Sequence, residues 1–359
     1  MKLSRLRRLW CLLTILTIPA LCLGAVRDAQ QAGSAPNELV VLNWSEYIDP
    51  ELVKEFEQKF NAEVRQVYYE SDDARDGMLA ESDGKGYDVV LVSGTQLAVY
   101  RKQGWLAPIT PSQVPNLRHI DADWQNAFAA ARGYAVPYFW GTLGIGYRTD
   151  LVPEKIVSWK QFYRPSERLR GKLGMIKSSR DVIGMALKAL GYSANSSDPK
   201  QLAEAEQLLR AQKPYVGDYT YIDLDEKSEL VTGKIVASMM YSGDALMVKE
   251  HHPEIVYVLP EEGGNLWVDY WTVMNRSQNR ELAMAFINFL NQPKIAARLA
   301  EFVYYATPNK AAEKLMSEEF LQDPTIYPNR KQLEKSEFYT KLPPRASKKR
   351  NRIFNDIVR

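Results

Sequence analysis

Three observations predict an α/β fold with two domains. The chain has 359 residues, which is long for a single hydrophobic core. It opens with a strand, a helix and a second strand, the pattern of parallel strands joined by crossover helices. Strand-like and helix-like segments then alternate to the end of the chain, which favours a mixed α/β fold over separate α and β domains.

The opening elements follow from the spacing of apolar residues. Residues 38–43 form a short run rich in β-branched side chains, typical of a buried parallel strand. Asp49 is a good helix N-cap, and Pro50 suits the first helical position. Apolar residues then recur at helical spacing, at Leu52, Val53, Phe56 and Phe60. The run 87–92 predicts the second strand.

The later elements are predicted in the same way. Three apolar runs predict strands, at 145–147, 235–240 and 255–259. Four segments have helical periodicity, at 181–190, 201–211, 280–290 and 294–303. Prolines predict joints between elements, at 108–115 and at Pro137.

Residues 1–25 are predicted to be a cleaved signal peptide. Four basic residues precede a stretch from Leu9 to Ala25 that carries no charge and ends in small residues. The alternative is an uncleaved membrane anchor, but an anchor usually needs about 20 apolar residues without a central proline such as Pro19. Lipidation of Cys22 is a weaker alternative, because Pro-Ala-Leu before it matches a lipobox poorly. Residues 26–37 are small and polar and predict a flexible lead-in.

Removal of this leader changes the chemistry of the chain. Both cysteines, Cys11 and Cys22, lie inside it, so the exported protein would have no disulfide and no thiol ligand. The formal charge would fall from +2 to −2, because the leader carries four basic and no acidic residues. The basic pI therefore gives no reason to expect nucleic acid as a partner.

The sequence gives little support for an enzyme. Its three histidines, His119, His251 and His252, have no metal-ligand spacing, and no G-x-S-x-G elbow offers a nucleophile. The glycine-rich segment 141–146 lacks the Lys-Ser/Thr of a phosphate loop and is interpreted as close backbone packing. We therefore expect no catalysis, no metal and no cofactor.

Aromatic residues beside carboxylates are the main chemical signal. They occur at 43–47, 241–244 and 267–271, positions predicted to follow strands or a glycine pair. Open α/β sheets bind ligands at the carboxyl ends of their strands. Aromatic rings pack on methylenes and attract ammonium groups, and carboxylates pair with them. The pattern favours a flexible organic cation as ligand.

These residues carry a resemblance to the bacterial periplasmic polyamine-binding proteins, the spermidine- and putrescine-binding subunits of ABC importers. The resemblance covers roughly residues 38–330, and the order and spacing of its matching stretches make it specific. The matching stretches are 43–47 (NWSEY), 87–90 (YDVV), 137–141 (PYFWG), 261–264 (EEGG) and 306–312 (ATPNKAA).

The resemblance implies a type II periplasmic binding protein fold. In this α/β fold two lobes are joined by a hinge, and the ligand lies in the cleft between them. Lobe 1 would hold residues 38–140 and 268–313, and lobe 2 would hold residues 144–264 and 318–359.

The resemblance also implies a set of ligand-binding residues from both lobes. Trp44 and Tyr47 would form the first aromatic wall, and Trp267 and Asp269 the central aromatic–acid pair. The full predicted set is Trp44, Ser45, Glu46, Tyr47, Ser93, Ser178, Asp181, Tyr241, Asp244, Trp267, Asp269 and Tyr305. For each residue the alternative role is core packing or, for the acids, helix capping.

Four positions depart from the family pattern. Ser178 stands where spermidine-binding members carry an aspartate, and Thr95 replaces an aromatic residue found in some members. Tyr241 replaces a tryptophan, and Tyr339 falls near an expected glutamine. Asp181, Asp244 and Asp269 are retained, which preserves a cationic ligand class but not the identity of the polyamine.

The resemblance implies a monomeric protein of the periplasm. It would capture a linear polyamine of the putrescine, spermidine or norspermidine class and deliver it to an inner-membrane ABC permease. The alternative is a polyamine sensor that docks on a membrane signalling receptor.

Overall fold

A mixed β-sheet of nine strands runs through the protein, whose computed structural model describes residues 37–359. The predicted signal peptide, and all of the lead-in except residue 37, lie outside these residues. The strands are β1 Asn37–Asn43, β2 Ala62–Tyr68, β3 Val89–Ser93, β4 Ala135–Arg148, β5 Leu173–Met175, β6 Val216–Tyr219, β7 Ala237–Tyr241, β8 Ile255–Val258 and β9 Leu266–Val273.

Helices cover the sheet and make up most of the remaining regular structure. The first eleven are α1 Pro50–Phe60, α2 Asp72–Ser82, α3 Leu97–Lys102, α4 Ala122–Asn126, α5 Trp159–Tyr163, α6 Ser179–Ala189, α7 Pro199–Gln212, α8 Glu229–Thr232, α9 Ser242–His251, α10 Arg280–Leu290 and α11 Pro293–Val303. The C-terminal ones are α12 Lys310–Glu313, α13 Glu318–Gln322, α14 Arg330–Leu333 and α15 Pro344–Val358.

The strand order is β2-β1-β3-β9-β4-β7-β5-β6, with β8 paired to β4. β1 is parallel to β2 and β3, whereas β9 is antiparallel to β3 and β4. The predicted α/β class is therefore confirmed. The first helix begins as expected, since the Asp49 side chain accepts a hydrogen bond from the Glu51 backbone N–H at 2.8 Å.

β4 is the longest strand and belongs to both halves of the protein. Its first part pairs with β9, and its second part pairs with β7 and β8. The joint predicted at Pro137 is wrong, because Pro137 lies inside this strand. The register shifts between Pro137 and Trp140, so the missing N–H of proline falls beside an irregularity. The close packing predicted for segment 141–146 is confirmed: a Cβ on Gly141 would come 2.7 Å from the Trp267 ring.

Two large clusters of buried apolar side chains lie on either side of the middle of β4. The first core gathers residues from 39–140 and 268–326, including Phe56, Trp271 and Phe286. The second core gathers residues from 143–239 and 339–357, including Trp159 and Ile183. The exact lobe boundaries stay a prediction, and Phe320 and Ile326 pack with the first core.

Candidate functional site

The turn after β1 contributes the first aromatic side chains of the cleft between the two cores. Trp44 follows the last residue of β1 and packs on Tyr69, with ring centroids 4.4 Å apart. Trp44 also reaches Tyr221 across the cleft, at 6.4 Å. Tyr47 is buried, and its ring meets Tyr305 edge to face at 5.9 Å. Both predicted members of the first aromatic wall therefore face other cleft residues.

The central aromatic–acid pair lies within β9, not after a strand. Trp267 and Asp269 follow the glycine pair at 263–264 as expected, and they lie inside a strand that the sequence pattern did not predict, since β9 starts at Leu266 and is paired on both sides. Asp269 is 8% exposed and sits opposite Ser93, the last residue of β3. The Tyr47 hydroxyl donates to Asp269 Oδ2 at 3.4 Å.

A second carboxylate enters the cleft from the first turn of α9. Asp244 accepts a hydrogen bond of 2.6 Å from the hydroxyl of Tyr305, which belongs to the first core. The Tyr305 ring also meets Trp267 edge to face at 4.9 Å, and Trp267 meets Tyr241 at 5.9 Å. Trp267, Tyr305 and Tyr47 thus form a continuous aromatic wall, in which Tyr305 bonds Asp244 and Tyr47 bonds Asp269.

The third predicted acid lies at the start of α6. Ser178 is the N-cap of this helix, and its hydroxyl accepts a hydrogen bond from the backbone N–H of Asp181 at 3.3 Å. Asp181 is 5% exposed, and its Oδ1 is buried without a hydrogen-bond partner among the described residues. Ser178 therefore has a capping role, whereas Asp181 holds a carboxylate oxygen that a ligand could satisfy.

The remaining predicted contacts have different surroundings. Ser93 donates to Asp72 Oδ2 at 3.1 Å and is partly buried. Ser45 and Glu46 are exposed, and Glu46 has a left-handed backbone with φ of 56°. Ligand contact by each of the twelve residues remains a prediction.

Burial makes ionisation of the cleft acids unfavourable when no cation pairs with them. It raises the pKa of Asp269 to about 7, with a further rise from the neighbouring charge of Asp72. It raises the pKa of Asp244 to about 6, against the opposing hydrogen bond from Tyr305. Burial also raises the pKa of Asp181. No Lys, Arg or His of residues 37–359 lies within 4 Å of these three carboxylates. An ammonium group would relieve this cost.

The sequence analysis missed a row of paired charged side chains beside these acids. Arg75 is completely buried and bonds Asp72 at 2.6 Å. On the other side of the cleft, Arg180 donates to Thr95 Oγ1 at 3.0 Å and lies 3.7 Å from Asp72 Oδ2. The signal was present, since Arg180 stands between Ser178 and Asp181 in the sequence.

Other parts of the described chain were considered as a metal site, a second ligand site or a membrane span. Within residues 37–359, no cluster of three His, Cys, Asp or Glu side chains is placed to hold a metal ion. A groove of about 690 Å³ runs along β8, lined in part by Tyr147, Val157 and Gln332, and it contains none of the predicted site residues. We find no membrane-spanning candidate among the helices of residues 37–359.

Known proteins similar to this chain share its length and its fold. Residues 51–328 match the family described as bacterial extracellular solute-binding protein. The spermidine/putrescine-binding periplasmic protein of Escherichia coli strain K12 is 32% identical over 89% of this chain and 91% of its own. The norspermidine sensor of Vibrio cholerae is 30% identical over 81% of this chain and 80% of its own.

A solved structure extends this similarity to three dimensions. The spermidine/putrescine ABC transporter substrate-binding protein of Streptococcus pneumoniae aligns with a TM-score of 0.77 and 29% identity. The alignment covers 89% of this chain and 98% of the Streptococcus pneumoniae chain. The fold is therefore that of two-lobe periplasmic solute-binding proteins, as the sequence predicted. This chain belongs to the bacterial extracellular solute-binding protein family.

Proposed function

We propose that this protein captures a linear polyamine in the periplasm and delivers it to an inner-membrane ABC permease. One observation carries the proposal: Asp244 and Asp269 are carboxylates without a cationic partner among the described residues, and an aromatic wall lies between them. Alkylammonium groups resemble lysine and are fully charged at neutral pH. Each would pair with a carboxylate while the methylenes pack on the rings.

The alternatives for these residues account less well for their environment. A purely structural acid in a protein interior is normally paired with a cation or with several hydrogen-bond donors. Asp269 has one long hydrogen bond from Tyr47 at 3.4 Å, and its pKa is raised to about 7 by burial. A carboxylate kept in this state favours a ligand that brings its own positive charge. The names of the Escherichia coli and Streptococcus pneumoniae relatives agree with this ligand class.

Calorimetry on the purified protein tests the proposal directly. The panel comprises putrescine, cadaverine, spermidine, norspermidine and spermine, with neutral 1-butanol and anionic glutamate as matched controls. We expect saturable binding of at least one polyamine and none of the controls. Because a ligand that binds only the folded state stabilises it, the same compound should raise the melting temperature. Absence of binding by every polyamine would refute the proposal.

A second candidate function is polyamine sensing through a membrane receptor. The similarity to the norspermidine sensor of Vibrio cholerae supports it, although the Escherichia coli relative is similar over a larger share of the chain. Stimulation of a reconstituted ABC permease by the loaded protein would support import. Ligand-dependent binding to a receptor with a cyclic-dinucleotide domain, without such stimulation, would support sensing.

A further inference from the structure

Tyr221 is an aromatic residue of the cleft that the sequence analysis did not select. It lies in the segment between β6 and α8, and its side chain packs against the second core. Its ring nevertheless reaches Trp44, which packs against the first core, with ring centroids 6.4 Å apart and planes tilted by 55°. The pair is therefore a direct aromatic contact between the two halves of the protein.

Trp44 is supported on its other side by the first half of the protein. It packs on Tyr69 at a centroid distance of 4.4 Å. The Tyr69 hydroxyl donates to the carbonyl of Leu91 in β3 at 3.0 Å, and the buried Arg75 guanidinium lies 5.3 Å from the Tyr69 ring. Trp44 therefore offers a firmly backed surface, and Tyr221 approaches it from the opposite half.

The Tyr221 side chain also faces acids from both halves. It is half-buried, and burial raises its pKa together with the charges of Asp181, Asp72 and Asp244. These three acids lie in the first turns of α6, α2 and α9, so three helices present carboxylates toward Tyr221. The Tyr221 side chain thus lies at the acidic interior of the cleft.

Asp181 leaves a negative charge without a partner in this region. Asp72 and Asp76 balance the charges of Arg75 and Arg180. The Oδ1 atom of Asp181 is buried and has no hydrogen-bond partner within residues 37–359. A cation that enters here would meet an uncompensated carboxylate and the aromatic side chains of both halves.

We propose that Tyr221 is a further ligand-binding residue, which together with Trp44 and Asp181 encloses one ammonium group of the polyamine. This inference rests on the proposed polyamine function and adds a residue of the second half to the site. An aromatic face attracts an ammonium group within about 6 Å of its centre, and the attraction grows where water is excluded. Because Trp44 and Tyr221 pack against different cores, the enclosure is complete only when the two halves meet over the ligand.

Calorimetry with the tightest-binding polyamine compares two variants of this residue. Tyr221→Leu keeps an apolar side chain but removes the aromatic face, so Kd should rise at least about tenfold, which corresponds to about 1.4 kcal/mol. Tyr221→Phe keeps the ring and should bind within about threefold of the native protein. In stopped-flow measurements, most of the loss in Tyr221→Leu should appear as faster dissociation, because the ring covers the bound ligand.

A control and a double variant separate this role from a structural one. Tyr215→Leu changes another half-buried tyrosine of the second half, which bonds the exposed Glu167, and should leave Kd unchanged. The melting temperature of ligand-free Tyr221→Leu should match that of the native protein. In an Asp181→Asn background, Tyr221→Leu should cost less affinity than it does alone, because both residues act on the same ammonium group.

Three results would overturn the inference while leaving polyamine binding by the native protein in place. They are an unchanged Kd in Tyr221→Leu, equal losses in the leucine and phenylalanine variants, and a cost that Asp181→Asn does not reduce. Binding of no polyamine by the native protein would instead defeat the proposed function. If Tyr221→Leu does not fold, fluorine NMR of fluorotyrosine-labelled native protein, assigned with Tyr221→Phe, provides the second test. A Tyr221 resonance that saturating polyamine does not move would also overturn the inference.

Discussion

Replacing Asp269 with asparagine should weaken polyamine binding and at the same time stabilise the empty protein. The substitution keeps the size of the side chain and an oxygen that can accept from Tyr47. It removes the charge that we propose pairs with an ammonium group of the ligand. Breaking one partner of a buried ion pair costs about 3–5 kcal/mol, which corresponds to a loss of affinity of about a hundredfold to several thousandfold.

The effect on the empty protein has the opposite sign. Burial raises the pKa of Asp269 from 3.8 to about 7. At about 1.4 kcal/mol for each tenfold change in proton affinity, ionising this carboxyl in the empty cleft costs about 4 kcal/mol. Asparagine removes that cost above pH 7. The melting temperature of the ligand-free variant should therefore exceed that of the native protein by up to several degrees at pH 8 and by less at pH 5, because the cost accumulates between about pH 4 and pH 7.

Calorimetry with the tightest-binding polyamine gives the affinity, and thermal unfolding at pH 5 and pH 8 gives the stability. Asp356→Asn, an exposed acid of α15, is the matched control and should change neither. Unchanged affinity in Asp269→Asn would refute its place in the site. A lower melting temperature at pH 8 without ligand would refute the account of its burial.

Four further predictions concern the same wall and its two acids. Tyr305→Phe removes the 2.6 Å hydrogen bond to Asp244, so the Asp244 pKa should rise above about 6. Polyamine affinity should fall roughly tenfold, which is the effect of one hydrogen bond to a charged group. An unchanged Kd at pH 6 would contradict this prediction. Gly243→Ala would place a Cβ 2.5 Å from the Tyr305 ring, so polyamine affinity should fall. Helix α9 should be retained, which circular dichroism would check. A polyamine affinity equal to that of the native protein would contradict this prediction and show that the Tyr305 ring can move freely. Because Asp269 and Asp244 have pKa values of about 7 and 6, affinity should drop at least tenfold from pH 8 to pH 5, and binding at pH 6 should release protons in calorimetry. The same raised pKa values predict that the ligand-free protein loses stability as pH rises from about 4 to about 7, because the unfolded chain ionises these acids at lower pH than the folded protein does. A flat profile would contradict both pH predictions.

The sequence predicted those elements whose apolar pattern matches a single environment. The helix at 280–290 was predicted with its observed bounds, because its apolar residues repeat at helical spacing and pack on one core. β2 was missed because it lies at the edge of the sheet and alternates charged and apolar residues. β9 was missed because Asp269 interrupts its apolar run. A charged residue inside a strand breaks the apolar pattern from which strands are predicted.

The candidate site was predictable where a residue type is unusual in its setting. Trp44 and Trp267 stand beside acids, and the family resemblance placed both in the cleft. Asp72 gave no such signal, because an acid at the start of a helix is normally read as a favourable helix-end charge. Arg180 was missed for a related reason: its role depends on a contact with Thr95, 85 residues away.

The position of β9 also determines the order in which the chain can fold. The Thr272 hydroxyl donates to the carbonyl of Val90, across 182 residues of sequence. β3 therefore keeps an unpaired edge during synthesis until about three quarters of the chain exist, and pairing over such separations is slow. A chain shortened before Val273 would expose this edge, which invites aggregation. We expect such truncated chains to be insoluble and not to fold into a single lobe that retains part of the binding activity.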